Sequence, residues 1–151
     1  MSNEPFIIFE LVGTKYAISS QMVQRMEMIE QITPVPNSPS FVEGVVFSRG
    51  QVIPAINLRV RFGFEKIRYD IRTRLIVIKA NDRTVGLIAD SAREFVEIPA
   101  DATQPPPEAI CGLSGKYLTG IAILGEKLVL ILNCEEVLKF SNNSLAAFGN
   151  T

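Results

Sequence analysis

The sequence predicts a mainly β protein built from two small barrels, and three observations support this fold class. Short apolar runs alternate with turns marked by Gly, Asn and Asp, which is typical of β-hairpins. The chain also repeats itself, at an offset of about 69 residues early in the repeat and about 76 residues later. Helix-like segments are few and short. A repeated unit of about five short strands can close into a small barrel, which removes its free edges.

Each repeated unit opens with a predicted hairpin. In the first unit, "FIIFELVG" at 6–13 is followed by "TKYAIS" at 14–19. In the second unit, "LIVIKA" at 75–80 is followed by "RTVGLIAD" at 83–90. The apolar residues after each hairpin also correspond, since Val23, Met26 and Ile29 match Ala92, Phe95 and Ile98. We therefore expect two equivalent hairpins, each followed by an equivalent apolar segment.

The second part of each unit contains two further matches. Gly44–Phe47 corresponds to Gly120–Ile123, and Ile56–Leu58 corresponds to Leu132–Cys134. Because the offset has grown at this point, the second unit has the longer central loop. We assign that loop to the proline-rich segment "PADATQPPPE" at 99–108.

Two short helices are predicted, each after an asparagine that can cap it. "LRVRFGF" at 58–64 follows Asn57, and "CEEVLKF" at 134–140 follows Asn133. Acidic residues in the first turn of the second helix and a lysine near its end suit the helix dipole. The mostly charged segment "EKIRYDIR" at 65–72 is expected to form a solvated linker between the units.

Composition disfavours several classes of function. The 151 residues have a net charge of −1, whereas nucleic-acid binders usually carry a basic excess. The chain has no His, and Cys111 and Cys134 lie far apart, so we expect neither a metal site nor a cofactor nor catalysis. No apolar run is long enough to cross a membrane, and the N-terminal run is too short for a signal peptide. We expect a cytoplasmic protein without membrane insertion.

An arginine stands between two apolar runs in "GVVFSRGQVIPAINLR". On the repeat, Arg49 and Gly50 fall over Gly125 and Glu126, so both units turn here, but only the first does so with arginine. The turn itself would be served better by Gly or Asn. The guanidinium of Arg49 could clamp backbone carbonyls between the units, pair with a carboxylate such as Asp90, or contact another protein. The simplest alternative is a solvated arginine on a hairpin loop.

The residues around this turn resemble the signature of the CheW-like family, the coupling proteins of bacterial chemotaxis. That signature has a glycine, an apolar run, Arg-Gly and a segment of the form "iiPviDLr.rfg", which "FVEGVVFSRGQVIPAINLRVRFG" matches. Further segments extend the resemblance over residues 6–140, among them "FIIFELVGTKYAI", "ITPVPNSPSFVEG", "TVGLIAD" and "YLTGIAIL". The combination of these segments is specific to the family, although each segment by itself would be weak evidence.

The resemblance implies a fold of two intertwined five-stranded SH3-like β-barrels with short helices, forming a single domain over residues 6–140. On this basis, the first barrel is expected to span residues 6–66 together with the helix at 134–140. The second barrel is expected to span residues 72–133, and residues 141–151 to form a flexible tail.

The resemblance also implies a non-enzymatic adaptor in chemotaxis signal transduction. Its partners would be the regulatory domain of a CheA-like histidine kinase, itself a paralogous twin barrel, and the cytoplasmic tip of a methyl-accepting chemoreceptor. Such an adaptor is cytoplasmic, is recruited to membrane receptor arrays and binds no nucleic acid. The family's signature arginine, important for coupling and for local structure, corresponds to Arg49.

Four positions depart from the family pattern. Ser48 stands where leucine is common, Arg25 replaces an acidic residue, Asn57 replaces aspartate and Ala92 replaces valine. The changes at Arg25 and Ser48 favour a second hypothesis, a paralogue that serves another kinase circuit such as pilus motility. More distant alternatives are a small-barrel nucleic-acid binder, disfavoured by the absence of Trp, and an enzyme.

The partner-binding residues are predicted from the packing of two barrels. A cleft between them would be apolar and built by both units, with Val23, Ile88 and Ala92 as its candidates. Arg49 with Gly50 would lie at its rim, and Arg25 on the same contact surface. The alternative is that the three apolar residues belong to the core.

Overall fold

The computed structural model describes residues 3–107 and 115–139, which form two mixed β-sheets and two short helices. The strands, in chain order, are β1 Asn3–Leu11, β2 Thr14–Ser19, β3 Val23–Met28, β4 Val42–Ser48, β5 Gln51–Asn57, β6 Arg74–Ala80, β7 Arg83–Ala89, β8 Ser91–Pro99, β9 Thr103–Gln104, β10 Leu118–Leu124 and β11 Lys127–Leu132. The helices are α1 Leu58–Arg61 and α2 Cys134–Val137, and Ala100–Ala102 and Gly115–Tyr117 form 3-10 turns. The predicted mainly β class is confirmed.

The two repeated units exchange their opening hairpins. Sheet A has the order β8-β1-β2-β11-β10-β9, and sheet B has the order β3-β6-β7-β5-β4. The hairpin β1–β2 of the first unit therefore lies among strands of the second unit, and β6–β7 lies among strands of the first. Parallel pairing joins each hairpin to its new neighbour, β2 to β11 and β7 to β5. The intertwined arrangement implied by the family resemblance is thus present.

This exchange corrects the boundaries predicted for the barrels. Residues 6–66 do not form one barrel and residues 72–133 the other, because each sheet combines a hairpin of one unit with the later strands of the other. The repeat is nevertheless present in the fold, because the two sheets have the same strand order. The sheet B order β3-β6-β7-β5-β4 corresponds, strand by strand, to β8-β1-β2-β11-β10 of sheet A. Among the strands of the described residues, β9 is the one without a counterpart strand, and it lies in the predicted longer loop at 99–108. A strand with a given apolar pattern can pair equally well with a strand of its own unit or of the other unit. Sequence periodicity therefore does not distinguish pairing within a unit from pairing between units.

Over the part of the chain that the structure describes, three apolar clusters hold the sheets together. One cluster lies between the sheets and includes Phe9 and Ile18 from sheet A and Ile76 and Leu87 from sheet B. A second lies within sheet A, around Ile8, and a third lies within sheet B. Strands β1 and β6 consequently have both faces buried, which explains why "FIIF" and "LIVI" are continuous apolar runs without alternation.

Both helices begin at the predicted asparagine caps. The side chain of Asn57 accepts a hydrogen bond from the Val60 amide at 3.3 Å, and that of Asn133 accepts one from the Glu136 amide at 3.3 Å. Each bond satisfies an amide that the first helical turn leaves without a partner. The helices are shorter than predicted, at four residues each. The predicted end of the second helix at Phe140 and the tail 141–151 lie outside the described residues.

Helix α2 returns to the first unit through Arg61. The guanidinium of Arg61 donates to the carbonyl oxygens of Val137 at 2.8 Å, Glu136 at 3.3 Å and Lys139 at 2.9 Å. A cation placed on the last carbonyls of a helix satisfies acceptors that have no partner within it. Cys134 and Val137 add their side chains to the cluster between the sheets. The linker at 65–72 is exposed as predicted, apart from half-buried Tyr69.

Candidate functional site

Arg49 and Gly50 form the two-residue turn between β4 and β5. Their φ angles are 50° and 78°, and two positive φ values are typical of the turns that join twisted antiparallel strands. The Arg49 side chain is 74% exposed, and its Nε lies 4.0 Å from Glu27 Oε2. A side chain other than Gly, Asn or Asp is uncommon at positive φ. The turn therefore carries an arginine that its own geometry does not favour, and directs most of it into solvent.

A polar cluster lies directly beside this turn. Glu27 accepts a hydrogen bond from Arg25 Nε at 2.8 Å, and Ser48 Oγ lies 3.0 and 2.8 Å from its two carboxylate oxygens. Arg25 Nη2 also donates to Ser48 Oγ at 3.2 Å. Burial acts to raise the pKa of the Glu27 carboxyl, but the hydrogen bonds from Arg25 and Ser48 outweigh it and lower that pKa. Glu27 is therefore held as a carboxylate.

The cluster joins the two edges of sheet B. Arg25 and Glu27 belong to β3, Ser48 ends β4, and these strands stand at opposite ends of the sheet order. Residues two apart in a strand point to the same face, which places Arg25 and Glu27 side by side. Side-chain bonds thus bridge part of an edge that has no backbone ladder. We call this line of contact between β3 and β4 the seam. The side chain of Arg25, a predicted contact residue, is only 15% exposed, so it faces the seam more than solvent.

An open cleft runs along the same seam. It has a volume of about 680 Å³ and is lined by residues of β3, β4 and the segment after β3, including Met28, Glu30, Val46 and Phe47. Phe47 is 75% exposed and Met28 57% exposed, which is unusual for side chains of this size. The cleft combines apolar walls with the carboxylate of Glu27.

Each sheet displays one exposed apolar cross-strand pair next to an equivalent turn. In sheet B, Phe47 pairs with Val52, and in sheet A, Ile123 pairs with Leu128. All four side chains are between 46% and 75% exposed. The two pairs occupy matching positions in the repeat, beside the turns at Arg49-Gly50 and Gly125-Glu126. Sequence reasoning missed them because alternation does not say which face of a strand a neighbouring element covers.

The three apolar candidates do not form one open groove. Ile88 is 3% exposed and belongs to the cluster within sheet B, whereas Ala92 is 5% exposed and belongs to the cluster between the sheets. Val23 is half-buried at the start of β3 and packs against that same cluster between the sheets. The core alternative therefore describes Ile88 and Ala92. Hairpin exchange is the reason, because it covers both faces of β7 and the start of β8.

Other arginines fill the structural roles suggested for Arg49. Asp90 pairs with Arg59, which donates from Nε to Oδ1 at 2.8 Å and from Nη2 to Oδ2 at 2.6 Å. The Val12 amide also donates to Asp90 Oδ2, at 2.9 Å. The hydrogen bond to Asp90 raises the pKa of Arg59, despite the opposing effect of burial. Clamping of carbonyls between the units is performed by Arg61. Neither of these structural roles therefore belongs to Arg49, and its exposed position at the turn is what distinguishes it.

The departure at Asn57 has a local explanation. The side-chain nitrogen Nδ2 of Asn57 lies 3.4 Å from Glu43 Oε1 and 3.4 Å from the hydroxyl of Tyr69. Glu43 also forms an ion pair with Lys66 at 2.7 Å. An amide can donate to the Glu43 carboxylate, whereas an aspartate at the same place would repel it. Asn57 thus caps α1 and accommodates a neighbouring acid.

The described residues contain no cluster of three or more His, Cys, Asp or Glu side chains arranged to hold a metal ion. Cys134 is buried, and burial raises the pKa of its thiol to about 12, as for an ordinary core thiol. Cys111 lies outside the described residues. Over residues 3–107 and 115–139, no helix has the length and apolarity needed to cross a bilayer.

Comparisons with known proteins match nearly the whole chain. The family model for the CheW-like domain matches residues 5–141. "Chemotaxis protein CheW" of Klebsiella aerogenes is 33% identical over 142 residues, which cover 94% of this chain and 86% of that protein. "Protein FrzA" of Myxococcus xanthus is 26% identical over 146 residues, which cover 95% of this chain and 91% of that protein.

A solved structure has the same fold. The crystal structure of the scaffolding protein TtCheW from Thermoanaerobacter tengcongensis superposes with a TM-score of 0.86 at 26% sequence identity. The similarity covers 93% of this chain and 95% of the other. The exchanged arrangement of the two sheets is therefore shared with a protein that its own description calls a scaffold.

Proposed function

Because the chain belongs to the CheW-like domain family, we propose that it is an adaptor that couples chemoreceptors to a histidine kinase in bacterial chemotaxis. The observation that carries this proposal is the family match over residues 5–141, together with a fold shared with a scaffolding protein. An adaptor needs surfaces and no reacting groups, so the proposal includes that the chain is not an enzyme. It also includes a cytoplasmic location with recruitment to membrane receptor arrays.

The two exposed apolar pairs support contacts with more than one partner. Phe47 with Val52 lies on sheet B, and Ile123 with Leu128 lies on sheet A. Exposed apolar side chains that cluster on a surface are a feature of protein–protein contacts. We assign one of these pairs to the contact with the regulatory domain of the kinase and the other pair to the contact with the cytoplasmic tip of the receptor.

The predicted site residues have different roles within this proposal. Arg49, presented by the turn with Gly50, contacts a partner directly, and Arg25 acts beside it through Glu27. Half-buried Val23 contributes at the start of β3. Ile88 and Ala92 are core residues, so any effect of changing them on binding is indirect, through the shape of the sheets.

Reconstitution with defined components tests the function. The kinase and a chemoreceptor cytoplasmic fragment from the same organism are assayed for autophosphorylation with and without this protein. We expect the adaptor to be required for receptor-dependent control of the kinase, and to bind each partner separately. If kinase output is the same with and without the protein, and neither partner binds it, the proposal is wrong.

The role of Arg49 is tested in the same assay. Arg49→Ala is expected to weaken the ternary assembly while leaving the thermal unfolding midpoint unchanged, because the side chain is mostly solvated. Arg83→Ala, which removes an exposed arginine beside another turn, serves as the matched control and should behave as wild type. An equal effect of both changes would assign the loss to net charge alone.

A second function within the family is favoured by one observation. Arg25 and Ser48, which both depart from the family pattern, bond to each other and to Glu27, so the departures form one local unit. Such a unit fits a paralogue dedicated to another kinase circuit, such as pilus motility. Offering the protein several kinases from one organism distinguishes the two, according to which kinase it couples.

A further inference from the structure

The Glu27 carboxylate has three cationic or hydroxyl neighbours that differ greatly in distance. Arg25 Nε and Ser48 Oγ each approach to 2.8 Å, whereas Arg49 Nε lies at 4.0 Å. The Arg25 and Glu27 side chains are 15% and 23% exposed, and that of Arg49 is 74% exposed. Ion-pair attraction falls with distance and is screened by solvent, so the buried contact with Arg25 dominates.

This difference places one positive charge at the tip of the turn. Arg25 and Glu27 neutralise each other within the seam between β3 and β4. The charge of Arg49 is left largely uncompensated, since its contact with Glu27 is at the distance limit of an ion pair. Without Arg25, the nearest cation to the Glu27 carboxylate would be Arg49. The two arginines therefore compete for one carboxylate.

The surface around Arg49 combines this charge with apolar area. Ser48 and Gln51 close the turn, and Phe47 and Val52 are the next pair along the hairpin, 75% and 49% exposed. The positive φ of Arg49 restricts the rotamers that its side chain can adopt. The equivalent turn of sheet A carries Glu126 where this one carries Gly50, so its apolar pair lies beside a different charge. Only the sheet B surface offers an arginine next to an exposed aromatic ring among the two equivalent turns.

We propose that Arg25 is a positioning residue that, by occupying Glu27, keeps Arg49 available for a carboxylate on a protein partner. The partner segment carries an acidic side chain next to apolar side chains, which contact Phe47 and Val52. Electrostatic complementarity of this kind selects among partners of similar shape. The inference rests on the proposed adaptor function and names the chemistry of one of its contacts.

The first test needs no partner. Titration of the Glu27 side-chain carboxyl is followed by NMR in wild type, Arg25→Gln and Arg49→Gln. We expect Arg25→Gln to raise the pH midpoint of Glu27 clearly, and Arg49→Gln to leave it nearly unchanged. If Arg49→Gln raises the midpoint as much as Arg25→Gln does, Arg49 is already neutralised by Glu27 and the proposal is overturned.

The second test measures binding of the purified kinase regulatory domain and the receptor cytoplasmic fragment. We expect Arg25→Gln to lower affinity for one of these probes by roughly two- to fivefold, the range for one exposed ion pair. Adding Glu27→Gln to that variant should restore affinity, because Arg49 then has no internal competitor. Arg49→Gln should lose affinity to a similar extent and should not be rescued by Glu27→Gln.

Rescue separates a positioning role from a merely structural one. If the double variant binds as poorly as Arg25→Gln or worse, Arg25 acts through local structure and the proposal fails. Circular dichroism and thermal unfolding confirm that each variant is folded. Wild-type protein that binds neither probe would count against the adaptor function itself, while the titration would still decide how Arg25, Glu27 and Arg49 share their charges. Wild-type affinity of Arg49→Gln for both probes would refute the carboxylate contact and, with it, the proposal.

Discussion

At the scale of single residues, the molecule uses its arginines in distinct ways. Arg59 is paired with Asp90, Arg61 binds the carbonyl end of α2, and Arg25 is paired with Glu27. Arg49 alone among these four is mostly solvated, with 74% of its side chain exposed. Partly buried arginines with carboxylate or carbonyl partners stabilise the fold, whereas an exposed one contributes little to it. Stability measurements should therefore distinguish the four.

Arg59→Ala is expected to lower the free energy of unfolding by about 1–3 kcal/mol, because it leaves a partly buried carboxylate without its main partner. Among the described residues, the Asp90 carboxylate would then retain only the Val12 amide as a donor. Urea denaturation followed by circular dichroism measures the change. Lys15→Ala serves as the control, because it breaks the Lys15–Glu94 pair, which has a distance of 2.7 Å but is more exposed. We expect no measurable loss of unfolding free energy in this variant. Equal losses in the two variants would contradict the structural role of Arg59.

The lowered pKa of Glu27 predicts a contribution to acid sensitivity. Its folded-state pKa lies below the ordinary value of 4.5, so the carboxylate stabilises the fold at pH above that value. This contribution should decline as pH falls through the unfolded and then the folded pKa, because protonation breaks the bonds to Arg25 and Ser48. Urea denaturation between about pH 6 and pH 3 should show a smaller decline in Glu27→Gln than in wild type. Identical pH profiles would show that Glu27 is not stabilised as a carboxylate.

At the scale of elements, close approach of the chain decides how β4 is held. Gly44 has a φ of 147°, and a methyl group there would overlap the carbonyl oxygen of Thr33. Thr33 and Val45 exchange two backbone hydrogen bonds at 2.9 Å on the open side of β4. This bridge gives backbone partners to part of an edge that no strand of sheet B covers, the same edge that the Arg25–Glu27–Ser48 contacts bridge.

Gly44→Ala is therefore expected to destabilise the protein by about 2–4 kcal/mol, through backbone strain and collision with Thr33. Thermal unfolding and hydrogen exchange at Val45 measure the loss. Gly125→Ala is the matched control, since Gly125 has a φ of 65° but open space where a methyl group would lie. That control should lose only about 1–2 kcal/mol, the cost of strain without collision. A loss at Gly44 no greater than at Gly125 would exclude the collision.

At the scale of the whole molecule, hairpin exchange makes the two units dependent on each other. Sheet A cannot form without β8, β10 and β11 of the second unit, and sheet B cannot form without β6 and β7. The cluster between the sheets also draws on both units and on α2. Long-range pairing of this kind gives a single cooperative unit in place of two small domains.

Separate halves of the chain should therefore be unfolded alone and fold when combined. Residues 1–68 and 69–151, cut within the exposed linker, are purified separately and examined by circular dichroism. We expect neither half to unfold cooperatively on heating, and an equimolar mixture to regain β structure with a cooperative transition. Cooperative unfolding of either half by itself would mean that a barrel can form within one unit.

Removing α2 tests the same dependence from the C-terminus. Deletion of residues 134–151 takes Cys134 and Val137 out of the shared cluster and leaves Arg61 without its carbonyl partners. Large losses are typical when buried side chains and their hydrogen bonds are removed together. We expect a lower thermal midpoint for the entire protein, measured by calorimetry as a single transition. An unchanged midpoint would contradict the contribution of α2.

The sequence by itself determined the strands, the repeat, both asparagine caps, the turn at Arg49-Gly50 and the family. Those features depend on neighbours along the chain, namely the spacing of apolar residues, the turn residues and the cap three residues before its amide. Only the tertiary structure decided the exchange of hairpins, the burial of Ile88 and Ala92, and the partners of Arg49, Arg59 and Arg61. These depend on residues far apart in sequence. A strand edge accepts any strand of matching pattern, and a guanidinium accepts any carboxylate or carbonyl that the fold brings within reach.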